Sequence, residues 1–152
     1  MPTGDETSPS PTQVEVISDL LHQITWGIRL DQLGTWSKAL RGMAQLDLHI
    51  LKLIAERPDI ILKEICSELH IPNSTLTSAI NRLEERGLLN RVISRRDRRS
   101  YGLALTTKGW EIKAEHDRVD QMIATKVIQA LEGDEEVATL TTLLSKIVQH
   151  FE

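Results

Sequence analysis

Leucine, isoleucine and valine recur three or four positions apart along most of the chain, which is the spacing of one helix face. The first stripe starts in a segment that opens at Gln13 and becomes less regular towards Met43, so it predicts one long helix or two. Shorter stripes follow at 46–54, 62–69 and 76–83, and long ones at 119–131 and 137–151. The pattern predicts a mainly helical protein.

The hydrophobic period changes between the third short stripe and the first long C-terminal one. Residues 88–94 and 101–106 alternate as half-buried strands do, and the six residues between them are charged or polar. The predicted fold is therefore mainly α, of the α+β winged helix-turn-helix class. It has about six helices and a two- or three-stranded hairpin, the wing.

Helix ends are marked by residues that start or stop helices. Asn73 or Ser74 can cap the helix that contains the stripe at 76–83, and Gly87 can end it. Thr107 can cap the long helix that follows the hairpin, and Gly133 separates that helix from the last one.

Positive charge is concentrated in one part of an otherwise acidic chain. The 152 residues have a net charge of −4, yet residues 82–108 contain eight basic and three acidic side chains, a balance of +5 that leaves −9 elsewhere. Such asymmetry indicates a local surface that faces an anion.

Composition also suggests the compartment and the domain boundaries. A single cysteine, Cys66, excludes an intrachain disulfide, and no run of apolar residues reaches the length of a membrane span, so we expect a cytoplasmic protein. Residues 1–12 are predicted to be a disordered tail. Residues 13–43 and 108–152 are predicted to form a helical dimerisation region around a DNA-binding domain at 44–107.

The turn at 70–73 is short enough to hold two helices at a steep angle, as in a helix-turn-helix. Burial of the stripe at 76–83 leaves the opposite face of that helix in solvent. Hydroxyls, amides and guanidinium groups on this face suit the edges of bases in a major groove, although they also suit an ordinary solvated face. The predicted DNA-contacting residues of this helix are Asn73, Ser74, Thr75, Thr77, Ser78, Asn81 and Arg82.

The tip of the hairpin carries four arginines and one aspartate. Arginine side chains insert well into a narrow, strongly negative minor groove, so we predict DNA contacts from Arg95, Arg96, Arg98 and Arg99. Asp97 is expected to pair with Arg98 or Arg99 and so to order the loop. The alternative is a solvated charged turn, which the repulsion between like charges disfavours.

Three motifs in this order resemble the MarR family of winged-helix regulators. They are Leu83-Glu84-Glu85-Arg86-Gly87-Leu88 at a helix end, Asp97-Arg98-Arg99 in the wing, and Leu105-Thr106-Thr107-Lys108-Gly109 at the entry to a long helix. Residues 62–65 are similar to the first helix of the family's helix-turn-helix. The resemblance covers roughly residues 46–109.

The resemblance implies an obligate homodimer whose two recognition helices enter successive major grooves of a pseudo-palindrome. It also implies a cleft for a small aromatic or lipophilic effector, for which the candidate lining residues are Trp26, Trp36, Met43 and His49. Alternatively, both tryptophans belong to the core of the dimer interface. Cys66 lies on a buried stripe and is expected to be a core residue, and the five histidines show no metal-ligand spacing.

These observations predict a sequence-specific regulator of transcription that binds double-stranded DNA as a homodimer, most simply a ligand-responsive repressor. The alternative is a winged-helix module for protein interaction that does not bind DNA. No paired acid and base residues, phosphate-binding loop or activated nucleophile is apparent, so we expect neither an enzyme nor a resident cofactor.

Overall fold

The computed structural model describes residues 8–29, 32–96, 99 and 101–151. Within them the chain forms six α-helices and one antiparallel pair of strands, as predicted, and two short 3₁₀ helices that the sequence pattern did not predict. The longer elements are α1 (Pro11–Ile28), α2 (Gln45–Glu56), α3 (Leu62–Glu68), α4 (Asn73–Glu85), β1 (Leu89–Ile93), β2 (Tyr101–Leu105), α5 (Thr107–Gln129) and α6 (Gly133–Phe151).

The first helix begins two residues before the predicted start at Gln13. Ser10 and Gln13 form a reciprocal capping box, and Pro11 occupies the first helical position, where its missing N–H costs nothing. Residues 11 and 12 of the predicted tail are thus helical. Residues 1–7 of that tail lie outside the described part of the chain.

The predicted helical continuation to Met43 is wrong. Arg29 ends α1 in the left-handed conformation, and the chain then forms 3₁₀ helices at Leu33–Thr35 and Lys38–Leu40. The second of these turns back on the first so closely that a Cβ at Gly34 would lie 3.0 Å from Cα of Arg41. The indole N–H of Trp36 donates to the carbonyl of Ile28 at 2.6 Å and ties this segment to the end of α1.

The main core lies between α2, α3, α4 and the strands. Ile50, Ile65, Ile80 and Leu83 are fully buried in it, together with Leu89 from β1. A second cluster joins the 3₁₀ segment to α2 and α5 through Leu33, Leu40, Leu48 and Val119. The hairpin, α4 and the start of α5 are therefore held on one common core.

The junction between the hairpin and α5 depends on two residues. Thr106, and not the predicted Thr107, caps α5, because its hydroxyl oxygen accepts from the N–H of Gly109 at 3.0 Å. The same hydroxyl donates to the carbonyl of Gly87 at 2.6 Å. A side chain at position 109 would overlap the carbonyl of Leu88, so glycine is required where α5 passes β1.

Neither α1 nor α6 has a buried residue within the described part of the chain, although both are amphipathic. Large apolar side chains along each helix are about half exposed. On α1 they include Ile17, Leu21 and Ile24, and on α6 they include Leu144, Ile147 and Val148. Among the described helices none is long and apolar enough to span a membrane.

Candidate nucleic-acid interface

Helix α4 buries the face that its sequence predicts. Leu76, Ala79, Ile80 and Leu83 are all 1% exposed or less. The N-cap is Pro72, whose carbonyl accepts from the N–H of Leu76 at 3.2 Å, so the predicted cap at Asn73 or Ser74 is wrong. The extended backbone of proline at this position starts the helix one residue earlier, without a side-chain cap.

The opposite face of α4 is the predicted polar one. Asn73, Ser74, Ser78 and Asn81 are exposed, while Thr75 and Thr77 are half-buried. The Thr77 hydroxyl donates to the carbonyl of Asn73 at 2.9 Å, which leaves its oxygen available only as an acceptor. The exposed face therefore offers small hydroxyl and amide groups on a rigid, well-packed helix.

Arg82, at the edge of that face, is engaged with a carboxylate inside the protein. Its Nε lies 3.0 Å from Oδ2 of Asp47 and its Nη2 lies 2.5 Å from Oδ1, in a two-point contact from α4 to α2. Asp47 is 1% exposed, whereas the Arg82 side chain is 46% exposed. The hydrogen bond to Asp47 raises the pKa of Arg82 further. This contact holds the recognition helix against the core.

Arg91 of β1 forms a second link to α4. Its Nη2 donates to Oδ1 of Asn81 at 2.6 Å, and its Nη1 pairs with the carboxylate of Glu84. The guanidinium carbon also lies 5.2 Å from the ring centroid of Tyr101 on β2. The base of the wing is thereby joined to the exposed face of α4.

The wing arginines differ in their surroundings. Arg95 is exposed and makes no hydrogen bond or ion pair to any other described residue. Arg96 is bound to α3: its Nη1 lies 2.8 Å from both carboxylate oxygens of Glu64. Arg99 is exposed and also interacts with another group of the protein. Arg98, and Asp97 with its predicted ion pair, lie outside the described residues.

The contact from Arg96 is the largest cause of a lowered pKa at Glu64. The N–H of Ile61 adds a second hydrogen bond to the same carboxylate, at 3.1 Å. Arg57 lies 3.7 Å away and contributes a weaker attraction. The tip of the wing is thus tied to the start of α3 in this structure.

The local excess of positive charge is smaller in the folded chain than the sequence sum suggests. Arg82, Arg91 and Arg96 each face a carboxylate. Arg86 donates to the carbonyl of Gly42, and Lys108 donates to the carbonyl of Arg86. Arg91 and Asp47 were not identified from the sequence as residues that hold α4 in place. The local sign of such a role was the charged Asp47 within the apolar stripe at 46–54.

The four candidate effector residues are not brought together in one pocket. Trp36 and Met43 line an open pocket of about 710 Å³ that is formed by the 3₁₀ segment. His49 lines a smaller pocket between α2 and α5. Trp26 is 65% exposed on α1, where the guanidinium of Arg29 lies 5.2 Å from its ring.

Two other expectations concern cysteine and metal. Cys66 is half-buried beside the main core, as expected for a small packing residue. Within the described ranges no group of three His, Cys, Asp or Glu side chains is arranged to hold a metal ion.

Several known transcriptional regulators are similar to this chain in sequence. The model of the MarR family matches residues 44–101. The chain is 34% identical to the HTH-type transcriptional regulator PecS of Dickeya dadantii over 91 residues, which are 57% of this chain and 52% of PecS. It is 26% identical to SarZ of Staphylococcus saprophyticus over 103 residues, 68% of this chain and 69% of SarZ. The chain thus spans about half the length of PecS.

Solved structures match over nearly the whole fold. FabT of Streptococcus pneumoniae, in complex with DNA, superposes with a TM-score of 0.79 at 26% identity, covering 91% of this chain and 96% of FabT. The apo form of MarR from E. coli superposes with a TM-score of 0.64 at 26% identity, covering 86% and 96% of the two chains. The similarity therefore includes the terminal helices as well as the winged helix.

Proposed function

We propose that this chain is a transcriptional regulator of the MarR type that binds specific sequences in double-stranded DNA, since the MarR family model matches residues 44–101 and the structure superposes on FabT, which was solved in complex with DNA. The observation that carries the proposal is the division of α4 into two faces. One face is fully buried, and the other exposes Ser74, Ser78 and Asn81 beside a wing that presents Arg95. The proposal describes a binding function without catalysis, in the cytoplasm, where bacterial DNA lies.

The dimensions and chemistry of α4 suit a major groove. Its 13 residues give a length of about 20 Å, and its exposed side chains are short enough for the helix to approach base edges closely. The wing would lie on the adjacent minor groove, where Arg95 adds a positive charge that no carboxylate of the other described residues engages. FabT, which superposes on this chain, was solved in complex with DNA, which supports DNA binding by this fold.

We further propose that the chain acts as a homodimer. The half-exposed stripes of α1 and α6 form apolar surfaces larger than a monomer in water normally leaves open. Packing them against a second copy would place two α4 helices on one side of the dimer. The expected operator is a pseudo-palindrome with half-sites about 10 base pairs apart.

The predicted effector and the assignment as a repressor stay proposals. The pocket that contains Trp36 and Met43 has a volume suited to a small aromatic molecule, and Trp36 provides a fluorescence signal. Aromatic carboxylic acids that quench this fluorescence and weaken operator binding would support an effector site. If neither signal changes, the effector proposal fails.

The proposed function is best tested by selecting bound sequences from random duplex DNA and then measuring Kd between 50 and 200 mM salt. We expect a two-fold symmetric sequence and a steep loss of affinity as salt increases, because phosphate contacts release counterions. Recovery of no sequence motif, together with binding that is insensitive to salt, would contradict the proposal.

A further inference from the structure

We propose that Arg91 is a specificity-determining residue that positions the side-chain amide of Asn81 for base recognition. The inference rests on the proposed function, since it assumes that α4 reads a major groove. It concerns a residue on β1 whose guanidinium contacts α4.

Arg91 is itself held firmly. Its guanidinium is paired with Glu84 and lies over the ring of Tyr101, 5.2 Å from the ring centroid. Its backbone N–H also approaches Oε1 of Glu84 at 3.5 Å. The Glu84 carboxylate on α4 and the Tyr101 ring on β2 therefore restrain the guanidinium before Asn81 is considered, so that Arg91 can act as a fixed donor.

The fixed guanidinium sets the orientation of the Asn81 side-chain amide. Arginine has only donors, so the atom of Asn81 that lies 2.6 Å from Nη2 must be the carbonyl oxygen. The amide nitrogen then points away from Arg91, and it makes no hydrogen bond to any other described residue. Asn81 is exposed, so in the complex it would present an N–H donor to the base it meets.

This orientation changes the base that Asn81 prefers. The usual pairing of asparagine with adenine needs the carbonyl oxygen to accept from N6 while the amide donates to N7. The cation occupies one lone pair of this oxygen and draws its charge away from the base, so the amide N–H becomes the stronger partner. Guanine offers that donor two acceptors, N7 and O6, whereas adenine offers only N7. We therefore expect guanine at the position read by Asn81, and adenine once Arg91 is removed.

The test compares the operator preferences of the full-length wild type, Asn81→Ala and Arg91→Met, selected from random duplex DNA. The position at which Asn81→Ala loses its preference identifies the base read by Asn81. At that position we expect the wild type to favour guanine over adenine by about fivefold or more in Kd, and Arg91→Met to favour adenine. Methionine keeps the aliphatic part of the side chain but has no guanidinium, so it cannot donate to Asn81.

Arg118→Met is the matched control, because Arg118 makes a similar two-point contact with Glu115 on α5. It should leave the base preference unchanged. Thermal unfolding of each variant separates a loss of folding from a change of preference. If Asn81→Ala alters a base preference that Arg91→Met leaves as guanine, or if Asn81→Ala alters none, the inference is overturned while DNA binding stands. A wild type that selects no sequence overturns both.

Discussion

At the scale of single residues, the arginines of the winged helix fall into two groups. Arg82, Arg91 and Arg96 are engaged with carboxylates of the same chain, whereas Arg95 is exposed without such a partner among the described residues. The three paired arginines hold α4, β1 and α3 in position. In the proposed complex, Arg95 is available to a DNA phosphate. The Asp47–Arg82 pair shows the difference most clearly, because Asp47 is buried and depends on one cation for its stability.

Replacing Arg82 by methionine should lower the free energy of unfolding by about 2 kcal/mol. The variant leaves the Asp47 carboxylate buried without its partner; the half exposure of Arg82 reduces the cost below the ~3–5 kcal/mol of a fully buried pair. Urea unfolding measures the change. Arg118→Met, which breaks an exposed pair, should lower the free energy of unfolding much less than Arg82→Met does. Equal stability of Arg82→Met and the wild type would show that Asp47 is not held in this way.

Arg95→Ala should weaken DNA binding and reduce the magnitude of the slope of log Kd against log salt by about one. The reason is that, in the proposed complex, Arg95 meets a phosphate or the minor groove without first leaving a carboxylate of any other described residue. The slope can be obtained from fluorescence anisotropy at several salt concentrations. Arg118→Ala removes the same charge from α5 and should leave the slope intact; a parallel loss in both variants would point to general electrostatics instead.

At the scale of elements, the wing is not an independent hairpin. Arg96 ties its tip to Glu64 at the start of α3, and Thr106 ties its end to α4 and α5 through Gly87 and Gly109. These contacts set the position of the wing relative to α4. In the proposed DNA complex, the carboxylate of Glu64 would compete with DNA for Arg96.

Glu64→Gln should therefore bind DNA more tightly than the wild type and with a steeper salt dependence, by about one unit of slope. The substitution frees Arg96 and removes a negative charge from the same region. Glu68→Gln is the control, because Glu68 lies on the same helix but pairs with Arg57 and not with the wing. Weaker binding by Glu64→Gln alone would show that the tie to α3 positions the wing.

The contact between α5 and the 3₁₀ segment should respond to acid. Hydrogen bonds from Arg118, and then from Ser37, lower the pKa of Glu115 from its ordinary value of 4.5 to about 2. Between about pH 2 and pH 4.5 the folded state therefore binds fewer protons than the unfolded state. The stability that the Glu115 carboxylate contributes is complete above about pH 4.5 and is lost as the pH falls towards 2. The stability difference between the wild type and Glu115→Gln should shrink over that range; a difference that is constant with pH would contradict the assignment.

At the scale of the whole molecule, the terminal helices distinguish this fold from a small winged helix. The apolar stripes of α1 and α6 bury nothing within the described part of one chain, yet they are long and regular. A second copy is the partner that the proposed function requires, and the spacing of the two α4 helices would depend on it.

Leu144→Asp should convert the proposed dimer to a monomer and abolish tight binding to a two-half-site operator, because a charge would then lie in the apolar contact. Sedimentation equilibrium measures the mass of the protein in solution. Fluorescence anisotropy with DNA that contains one or two half-sites measures the loss of cooperative binding. Thr142→Asp places the same charge on the other side of α6 and should remain dimeric. A monomeric wild type would contradict the proposal directly.

Much of the fold could be predicted from residue patterns because helix and strand periods are local properties. The buried stripe of α4, the two strands, the last two helices and the resemblance to the MarR family over residues 44–101 all follow from residues close together in the chain. Predictions failed where a tertiary contact or a backbone cap outweighed local preference. The 3₁₀ segment after α1 and the caps at Pro72 and Thr106 are the examples.

The sequence by itself determined which face of α4 is polar and that arginines gather around it. Only the tertiary structure decided which of those arginines are already engaged, since Arg82 meets Asp47 across 35 positions and Arg96 meets Glu64 across 32. Hydrophobic burial is encoded by spacing along the chain. The pairing of two charges depends on which distant segments the core brings within about 3 Å, and no local pattern contains that distance.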